Sequence, residues 1–241
     1  MRLILLFLLF VTGTVSFAQV DTVTIKTPVT QSFQPQSRDH FMIQLGALTW
    51  QNSPDSVRTA GLPRTFNMYV LLDFPFKTNP HFSVAIGPGV ATDHMFLDAT
   101  NVGIRGTSPT IRFQNVSDTS HFKKYKLSTA YAEAPIELRY NFNAQDEAKS
   151  VKIALGAKVG ALLSAWVKGK DLQDSKGNTI AAYTMKEKSK KYFNSTRISL
   201  TGRAGWGRFS AFASYALTPL FKEGNGPKVQ PMSIGLTISG L

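Results

Sequence analysis

The sequence predicts an all-β fold, an eight-stranded antiparallel up-and-down transmembrane β-barrel with short periplasmic turns and long extracellular loops. Three observations predict it. Apolar residues alternate with polar or small residues through eight segments, which is the side-chain period of a β-strand. The connections between these segments are alternately long and short. Large aromatic residues gather at the short-turn ends of the apolar faces. Transmembrane barrels combine these three features.

The N-terminus predicts export. Met1 and Arg2 form a basic start, residues 3–11 are apolar, and Ser16-Phe17-Ala18 supplies small residues before a cleavage point. This order is typical of a secretory signal peptide, predicted over 1–18. The apolar run is shorter than the roughly 20 residues of a membrane-spanning helix. Residues 19–40 mix Thr, Gln, Ser and Pro without periodicity and predict a flexible periplasmic tail, so the barrel takes 41–241.

The first three strands are predicted over 41–50, 66–76 and 82–91. In the third, Pro88 lacks an amide donor, so a bulge or kink is expected there. Residues 93–126 are predicted to form a long connection with its own hairpin around 106–109.

The fourth and fifth strands, over 128–142 and 151–168, show the clearest alternation. Every odd position from Val151 to Val167 is aliphatic, whereas most even positions hold lysines or small residues, namely Lys152, Gly156, Lys158, Gly160, Ser164 and Lys168. The pattern therefore predicts one uninterrupted apolar face along the fifth strand. A basic loop over 169–195 follows, and the last three strands are predicted over 197–203, 208–217 and 232–239.

The connections give the barrel its orientation. Those after strands one, three, five and seven are long, and those after two, four and six are short. All long loops then lie at one end, which is the extracellular end in outer-membrane barrels. Aromatic residues at the opposite, short-turn end predict an interfacial girdle: Phe41, Phe74, Phe76, Phe82, Tyr140, Phe142, Trp206 and Phe209.

The alternative is a soluble barrel of lipocalin type, apolar inside and polar outside. The polar face carries Gly46, Gly87, Gly89, Gly156 and Gly160. Small residues belong on the lumen face of an eight-stranded barrel, because the interior just admits side chains. The apolar face is therefore predicted to contact lipid.

The polar face then supplies a lumen charge network: Asp73, Glu133, Glu137, Arg139, Lys152, Lys158, Arg197, Arg203 and Arg208. Paired charges are tolerated in such an interior, so we interpret the network as a structural plug. The alternative is a narrow anion-preferring pore, since cations outnumber anions in this set.

The net charge of +12 requires an anionic partner or surface. No basic helix or zinc-ligand spacing points to nucleic acid. Several lysines instead fall in the predicted outer loops, where phosphates of lipopolysaccharide lie: Lys123, Lys124, Lys126, Lys186, Lys188, Lys190 and Lys191. Outer-membrane lipid and lipopolysaccharide are therefore the expected partners, together with envelope proteins. The alternative is that these lysines only keep solvated loop tips soluble.

No catalytic residue, metal site or cofactor is predicted. His94 and His121 lie in predicted outer loops, but a histidine beside serines in sequence does not make a catalytic arrangement. Glu133 and Glu137 are about 13 Å apart along a strand, too far to share one proton. The chain contains no cysteine, and its acidic residues lack the spacing of a calcium loop.

Two stretches resemble a known family. Tyr131-Ala-Glu133-Ala-Pro135-Ile-Glu137-Leu-Arg139-Tyr140 is similar to the signature of the Bacteroidota outer-membrane β-barrel family, in its PorT-like porin group. The stretch from Tyr215 to Lys222, with Gly226-Pro227 and 233–236, is similar to its closing hairpin. The resemblance implies a bacterial outer-membrane location and an eight-stranded barrel. Some members of the family serve type IX secretion or gliding machinery.

Three functions remain open. The favoured one is a non-catalytic structural or accessory component of the envelope, in a secretion (type IX-like) or gliding assembly. The second is a narrow anion-preferring porin, which conductance would reveal. The third is an outer-membrane lipid-modifying enzyme, which an assay of lipid products would reveal.

Overall fold

The computed structural model describes residues 41–54, 57–143 and 149–240. The predicted signal peptide and periplasmic tail lie outside these residues. Within them, no helix has both the length and the apolar character needed to cross a membrane.

The described residues contain thirteen β-strands: β1 Phe41–Gln51, β2 Arg64–Val70, β3 Leu72–Pro75, β4 Phe82–Ile86, β5 Gly89–Leu97, β6 Thr100–Val102, β7 Phe113–Asn115, β8 His121–Asn141, β9 Val151–Gln173, β10 Thr179–Lys188, β11 Thr196–Trp206, β12 Phe209–Ala216 and β13 Gln230–Ser239. The predicted second strand corresponds to β2 with β3, and the predicted third to β4 with β5. Strands β6, β7 and β10 belong to the connections.

Eight of these strands form an antiparallel ring in the order β9, β11, β12, β13, β1, β2, β5, β8. The ring is complete because β8 pairs with β9 as well as with β5. The first and last strands pair directly, with Leu45 opposite Leu236. The all-β, eight-stranded antiparallel prediction is confirmed.

The wall strands break where the sequence has a proline. Gly87 and Pro88 separate β4 from β5, and the Val70 amide donates to the Pro88 carbonyl at 2.9 Å. A Cβ on Gly87 would lie 1.9 Å from the Val70 carbonyl oxygen, so only glycine fits this close approach. The kink expected at Pro88 is thus present.

The apolar strand residues face outward over most of the wall. Leu45, Leu155, Ile234 and Leu236 are each more than half exposed. The aromatic residues predicted for the girdle also lie on this face: the Phe82 and Tyr140 ring centres are 4.8 Å apart, and Trp206 pairs with Phe209. This is the arrangement of a barrel whose exterior contacts hydrocarbon.

A β-bulge in β9 changes the predicted alternation. Ala130 pairs with Ser164 but Tyr131 pairs with Leu162, so Leu163 is an extra residue. Beyond it the faces exchange, and Ala165 and Val167 point inward with no exposed surface. The prediction of one apolar lipid face up to Val167 is therefore wrong beyond the bulge. Side chains alternate between the two faces of a strand, so one inserted residue moves every later side chain to the opposite face.

The two longest predicted loops are largely folded. Strand β5 continues to Leu97 and β8 already begins at His121, so the wall extends well into the predicted connection 93–126. The predicted internal hairpin exists, formed by β6 and β7 around residues 103–112. Similarly, β9 runs to Gln173 and pairs with β10 across most of the predicted loop 169–195.

These extensions enclose an apolar core at the extracellular end, which we call the cap core. Its buried members are Leu48, Met95, Leu97, Val102, Ile104, Ile111, Tyr125, Leu127, Tyr131, Leu162, Ala165, Val167, Tyr192, Phe193, Leu220, Phe221 and Val229. Tyr192 connects the 103–112 segment to this core, because its hydroxyl lies 2.8 and 2.7 Å from the carbonyl oxygens of Gly106 and Ser108 and donates its one hydrogen between them. The extracellular loops therefore fold over the end of the barrel.

Candidate functional site

The lumen holds most of the charges that the sequence places there. Six of the nine have buried side chains: Glu133, Glu137, Arg139, Lys158, Arg197 and Arg203. The side chain of Asp73 is 7% exposed, and Lys152 is half-buried.

The prediction that Arg208 belongs to the lumen network is wrong. Arg208 lies in the turn between β11 and β12 and is exposed, so it is not a lumen residue. The alternation that predicted its direction ends at Trp206, since Gly207 turns the chain with φ 58°.

Arg197 is the centre of the extracellular half of the network. Its Nη1 pairs with Asp93, while its Nε and Nη2 donate to Glu133 Oε1 at 3.0 and 2.6 Å. The guanidinium carbon also lies 3.9 Å from the ring centre of Tyr131, a cation–π contact. Hydrogen bonds to two carboxylates and one aromatic ring on a face thus hold the guanidinium.

Glu133 connects this arginine to the opposite wall. Its Oε2 accepts a hydrogen bond from the Tyr69 hydroxyl at 2.6 Å and lies 3.8 Å from Lys158 Nζ. Both carboxylate oxygens therefore have partners, as a buried charge requires.

Glu137 is the centre of the periplasmic half. Its Oε2 accepts hydrogen bonds from Arg139 Nε and Arg203 Nε, both at 3.1 Å. Arg139 Nη1 lies 3.5 Å from Asp73 Oδ1. Two arginines therefore share one carboxylate, and a second carboxylate offsets the excess positive charge.

The buried charges balance. Four carboxylates, of Asp73, Asp93, Glu133 and Glu137, face four cations, of Arg139, Lys158, Arg197 and Arg203. The excess of cations that suggested an anion pore came from including Arg208 and the half-buried Lys152, and from leaving out Asp93. A balanced set fits an internal plug better than a selectivity filter.

Sequence reasoning missed Asp93, Tyr69 and Tyr131 as members of the network. Asp93 fell in a predicted loop, because the alternation of the third strand was followed only to Ala91. It shares the inward face of Ala91 and is 8% exposed, so extending the alternation by two residues would have found it. Alternation placed the two tyrosines on the polar, inward face, Tyr69 with Asn67 and Tyr131 with Glu133, but only charged residues were counted as members of the network.

The space left in the lumen is small. Polar side chains fill the wall opposite the network, where Asn67 donates to Gln44 Oε1 and Gln44 donates to Thr237 Oγ1, each at 3.2 Å. A cavity of about 20 Å³ remains beside Asp93, Lys158 and Arg197. This volume admits about one water molecule.

The predicted loop lysines separate into two groups. Lys124, Lys126, Lys186 and Lys188 lie on the outward face of β8 and β10, while Lys123 is exposed where β8 begins. Lys190 and Lys191 instead hold the cap: Lys190 Nζ donates to the Leu162 carbonyl at 3.3 Å, and Lys191 Nζ donates to the carbonyls of Gly106 and Ser108 at 3.0 and 3.1 Å.

Tyr125 joins the cap core to the β6–β7 hairpin. Its hydroxyl donates to Asn101 Oδ1 or the Val102 carbonyl and accepts from the Val102 amide, all at 3.2 Å. Burial raises the pKa of Tyr125 to about 12. The phenol therefore stays protonated at neutral pH.

The histidines have local partners. His94 Nδ1 lies 2.8 Å from Ser128 Oγ, and its ring packs edge-on against Trp166. The Ser128 side chain is almost wholly covered, with the residue 1% exposed. His121 Nδ1 lies 3.0 Å from the Thr119 carbonyl. No cluster of His, Asp and Glu in the described ranges could hold a metal ion.

An apolar exterior around a ring of eight strands, with a charged and hydrogen-bonded interior, defines the class of transmembrane barrels. The chain matches the family model for the outer membrane protein beta-barrel domain over residues 32–222. It belongs to that family, and its location is the bacterial outer membrane. A search of curated proteins found no match.

Proposed function

We propose that this protein is a non-conducting, non-catalytic barrel that serves as a structural or accessory component of the envelope. The observation that carries the proposal is the double closure of the lumen, by the charge network within the wall and by the cap core above it. A cavity of about 10 Å³ lies beside Asp93 and the cap residues Leu127 and Leu220. An ion crossing the barrel would have to displace both.

The network resists opening because its members depend on one another. Removing one partner of a buried ion pair leaves an uncompensated charge, which typically costs about 3–5 kcal/mol. Arg197 and Glu137 each serve two oppositely charged partners, so opening the lumen at either point disrupts several pairs at once.

We place the protein in the PorT-like group of Bacteroidota barrels, with a role in a secretion assembly of type IX or a gliding assembly. The support is the stretch from Tyr131 to Tyr140. Its Glu133, Glu137 and Arg139 are central members of the lumen network. The signature residues therefore have a structural role inside the barrel. This supports the view that the protein and that group build their barrel walls in the same way.

Planar bilayer recordings test the closure. The wild-type barrel should form no stable channel. Because both closures must open, ions should pass only when Glu133→Ala/Arg197→Ala is combined with Leu127→Ala/Leu220→Ala in the cap core. Glu223→Ala/Lys228→Ala is the matched control, because it removes an exposed pair 3.9 Å apart. A stable open channel in the wild type would contradict the proposal and favour the anion-preferring porin.

The accessory role has a separate test. Cross-linking in native membranes, followed by purification in mild detergent, should recover an envelope protein in stoichiometric amount. A barrel that purifies alone from cross-linked membranes would argue against this role.

A lipid-modifying hydrolase is the second candidate. The hydrogen bond between His94 and Ser128 favours it, because a base within reach of a hydroxyl is the minimum for a serine nucleophile. The burial of Ser128 opposes it, since an ester could not reach the hydroxyl. Release of fatty acid from outer-membrane lipid, lost in Ser128→Ala and His94→Ala, would establish the enzyme in place of the accessory role.

A further inference from the structure

The outward face of the wall carries a row of lysines, one on each of three neighbouring strands. Lys126 on β8 is directly opposite Lys168 on β9, and Lys168 is directly opposite Lys186 on β10. Phe96 on β5 extends the row beyond Lys126. We call Lys126, Lys168 and Lys186 the cationic row.

Aromatic rings and a further cation adjoin the row. The Nζ atoms of Lys126 and Lys186 lie 5.7 and 5.6 Å from the ring centres of Phe96 and Trp166. Arg64, on β2, places its guanidinium carbon 5.9 Å from the same Phe96 ring. The cations therefore share one continuous surface with rings of the kind found at membrane interfaces.

Like charges directly opposite each other on paired strands repel. In the described ranges, none of the three lysines has an ion-pair partner, and neither does Arg64. The neighbouring pair Lys124 and Lys170 on the extracellular side adds to the positive charge. The face therefore lacks an anion that would offset this repulsion.

The row lies just above the apolar band. Between Tyr140 of the periplasmic girdle and Lys126, the outward residues of β8 are small or apolar: Ser128, Ala130, Ala132, Ala134, Ile136 and Leu138. With a usual strand rise and tilt, Lys126 stands about 35 Å above Tyr140, whereas the apolar band is about 25 Å tall. The phosphates of outer-leaflet glycolipids occupy this level.

The bulge at Leu163 is what completes the row. Without the extra residue, Lys168 would share the inward face of Lys152 and Lys158, as the unbroken alternation predicted. With it, Lys168 points outward between Lys126 and Lys186. Bulges often re-aim a side chain at a functional position.

We propose that the cationic row binds the phosphate groups of lipopolysaccharide in the outer leaflet. Three ammonium groups in adjacent strands offset the charge of a phosphorylated sugar headgroup, while Phe96 and Trp166 contact its acyl–headgroup boundary. The inference does not depend on whether the lumen is closed.

Native mass spectrometry of the full barrel in detergent tests the site, with bisphosphorylated lipid A and its dephosphorylated form as probes. The wild type should retain the bisphosphorylated form preferentially. Lys126→Gln/Lys168→Gln/Lys186→Gln should weaken that binding about 100-fold. The triple Arg variant should keep it, and added salt should weaken it by screening.

The matched control is Lys77→Gln/Lys176→Gln/Lys228→Gln, which removes the same charge from three exposed positions outside the row. It should bind like the wild type. Equal retention of both lipids, or equal loss in both triple variants, would overturn the proposal. The proposal would also be overturned if inorganic phosphate displaced the bound lipid as effectively as free lipid A does. The site would then bind free phosphate.

Folding is checked by heat-dependent mobility on gels. If the triple Gln variant does not fold, Lys168→Gln alone replaces it, with an expected weakening of about fivefold. Unchanged binding in that single variant would also count against the site.

Discussion

At the scale of single residues, neighbours in sequence meet opposite environments. Ala157 lies on the lipid-facing side of β9, opposite Leu200 and Ile136, whereas Lys158 lies in the lumen near Glu133. A charge that is stabilised at one position is therefore costly at the next.

Ala157→Arg should destabilise the barrel by about 2–4 kcal/mol, because it places a cation against hydrocarbon near the midplane. Lys158→Met should cost less, since Glu133 keeps its hydrogen bonds to Arg197 and Tyr69. Urea-dependent unfolding in lipid vesicles measures both. A larger loss for Lys158→Met would mean that the two faces are reversed.

Arg197→Met should cost about 3–5 kcal/mol, because it removes the guanidinium that serves both Asp93 and Glu133. Adding Asp93→Asn should recover part of the loss, since one uncompensated carboxylate is then neutral. The same unfolding assay measures this coupling. Additive losses in the double variant would show that Asp93 and Arg197 do not interact.

At the scale of elements, the sequence predicted the membrane-spanning parts of the strands better than their extracellular ends. Alternation located all eight wall strands and the side facing lipid, because inside the bilayer the two faces differ sharply in polarity. It failed above Ser164, where Ala165 and Val167 continue the apolar run but line the cap core. Aliphatic residues suit lipid and a protein core equally, so composition could not reveal the bulge.

The site was predictable to a similar extent. Charges on the inward face of a clear strand were placed correctly, as with Glu133 and Arg197. Arg208 was misplaced because the alternation ends at the turn that precedes it. Asp93 was missed because the alternation of the third strand was followed only to Ala91, although β5 continues to Leu97. Which cation pairs with which carboxylate depends on register between distant strands, which no single segment contains.

Tyr125→Phe should loosen the β6–β7 hairpin by removing the hydroxyl that bonds Asn101 and Val102. Because the pKa of Tyr125 is about 12 in the folded state and about 10 when unfolded, its contribution to stability is constant below pH 10 and falls between pH 10 and 12. Ultraviolet titration of wild type and variant isolates this group. If the difference between the wild-type and variant titrations had its midpoint near pH 10, the burial of Tyr125 would be contradicted.

At the scale of the whole molecule, the barrel reverses its polarity along its length. Between the periplasmic girdle and the bulge, the exterior is apolar and the interior charged. Above the bulge, the interior is the cap core and the exterior carries Lys124, Lys126, Lys168 and Lys170. The soluble-barrel alternative, rejected for the membrane part, thus describes the extracellular part.

A folded cap should resist proteases that cut flexible loops. External trypsin should spare Lys190 and Lys191, whose ammonium groups bond to backbone carbonyls of the cap, and cut first at Lys176 in the β9–β10 turn. Mass spectrometry of fragments from barrels in vesicles identifies the sites. Early cleavage at Lys190 or Lys191 would mean that the loops are open.

The polarity reversal also sets the depth of the protein. Sinking far enough would bring the outward lysines of β8 and β9 into hydrocarbon, and rising would expose the lowest leucines to water. Either displacement carries a cost that grows with distance, so the bilayer should deform around the barrel before the barrel moves. The height of the apolar wall therefore sets the thickness of the adjacent bilayer. In a thicker or thinner membrane, the lipid next to the barrel should thin or thicken to match that height.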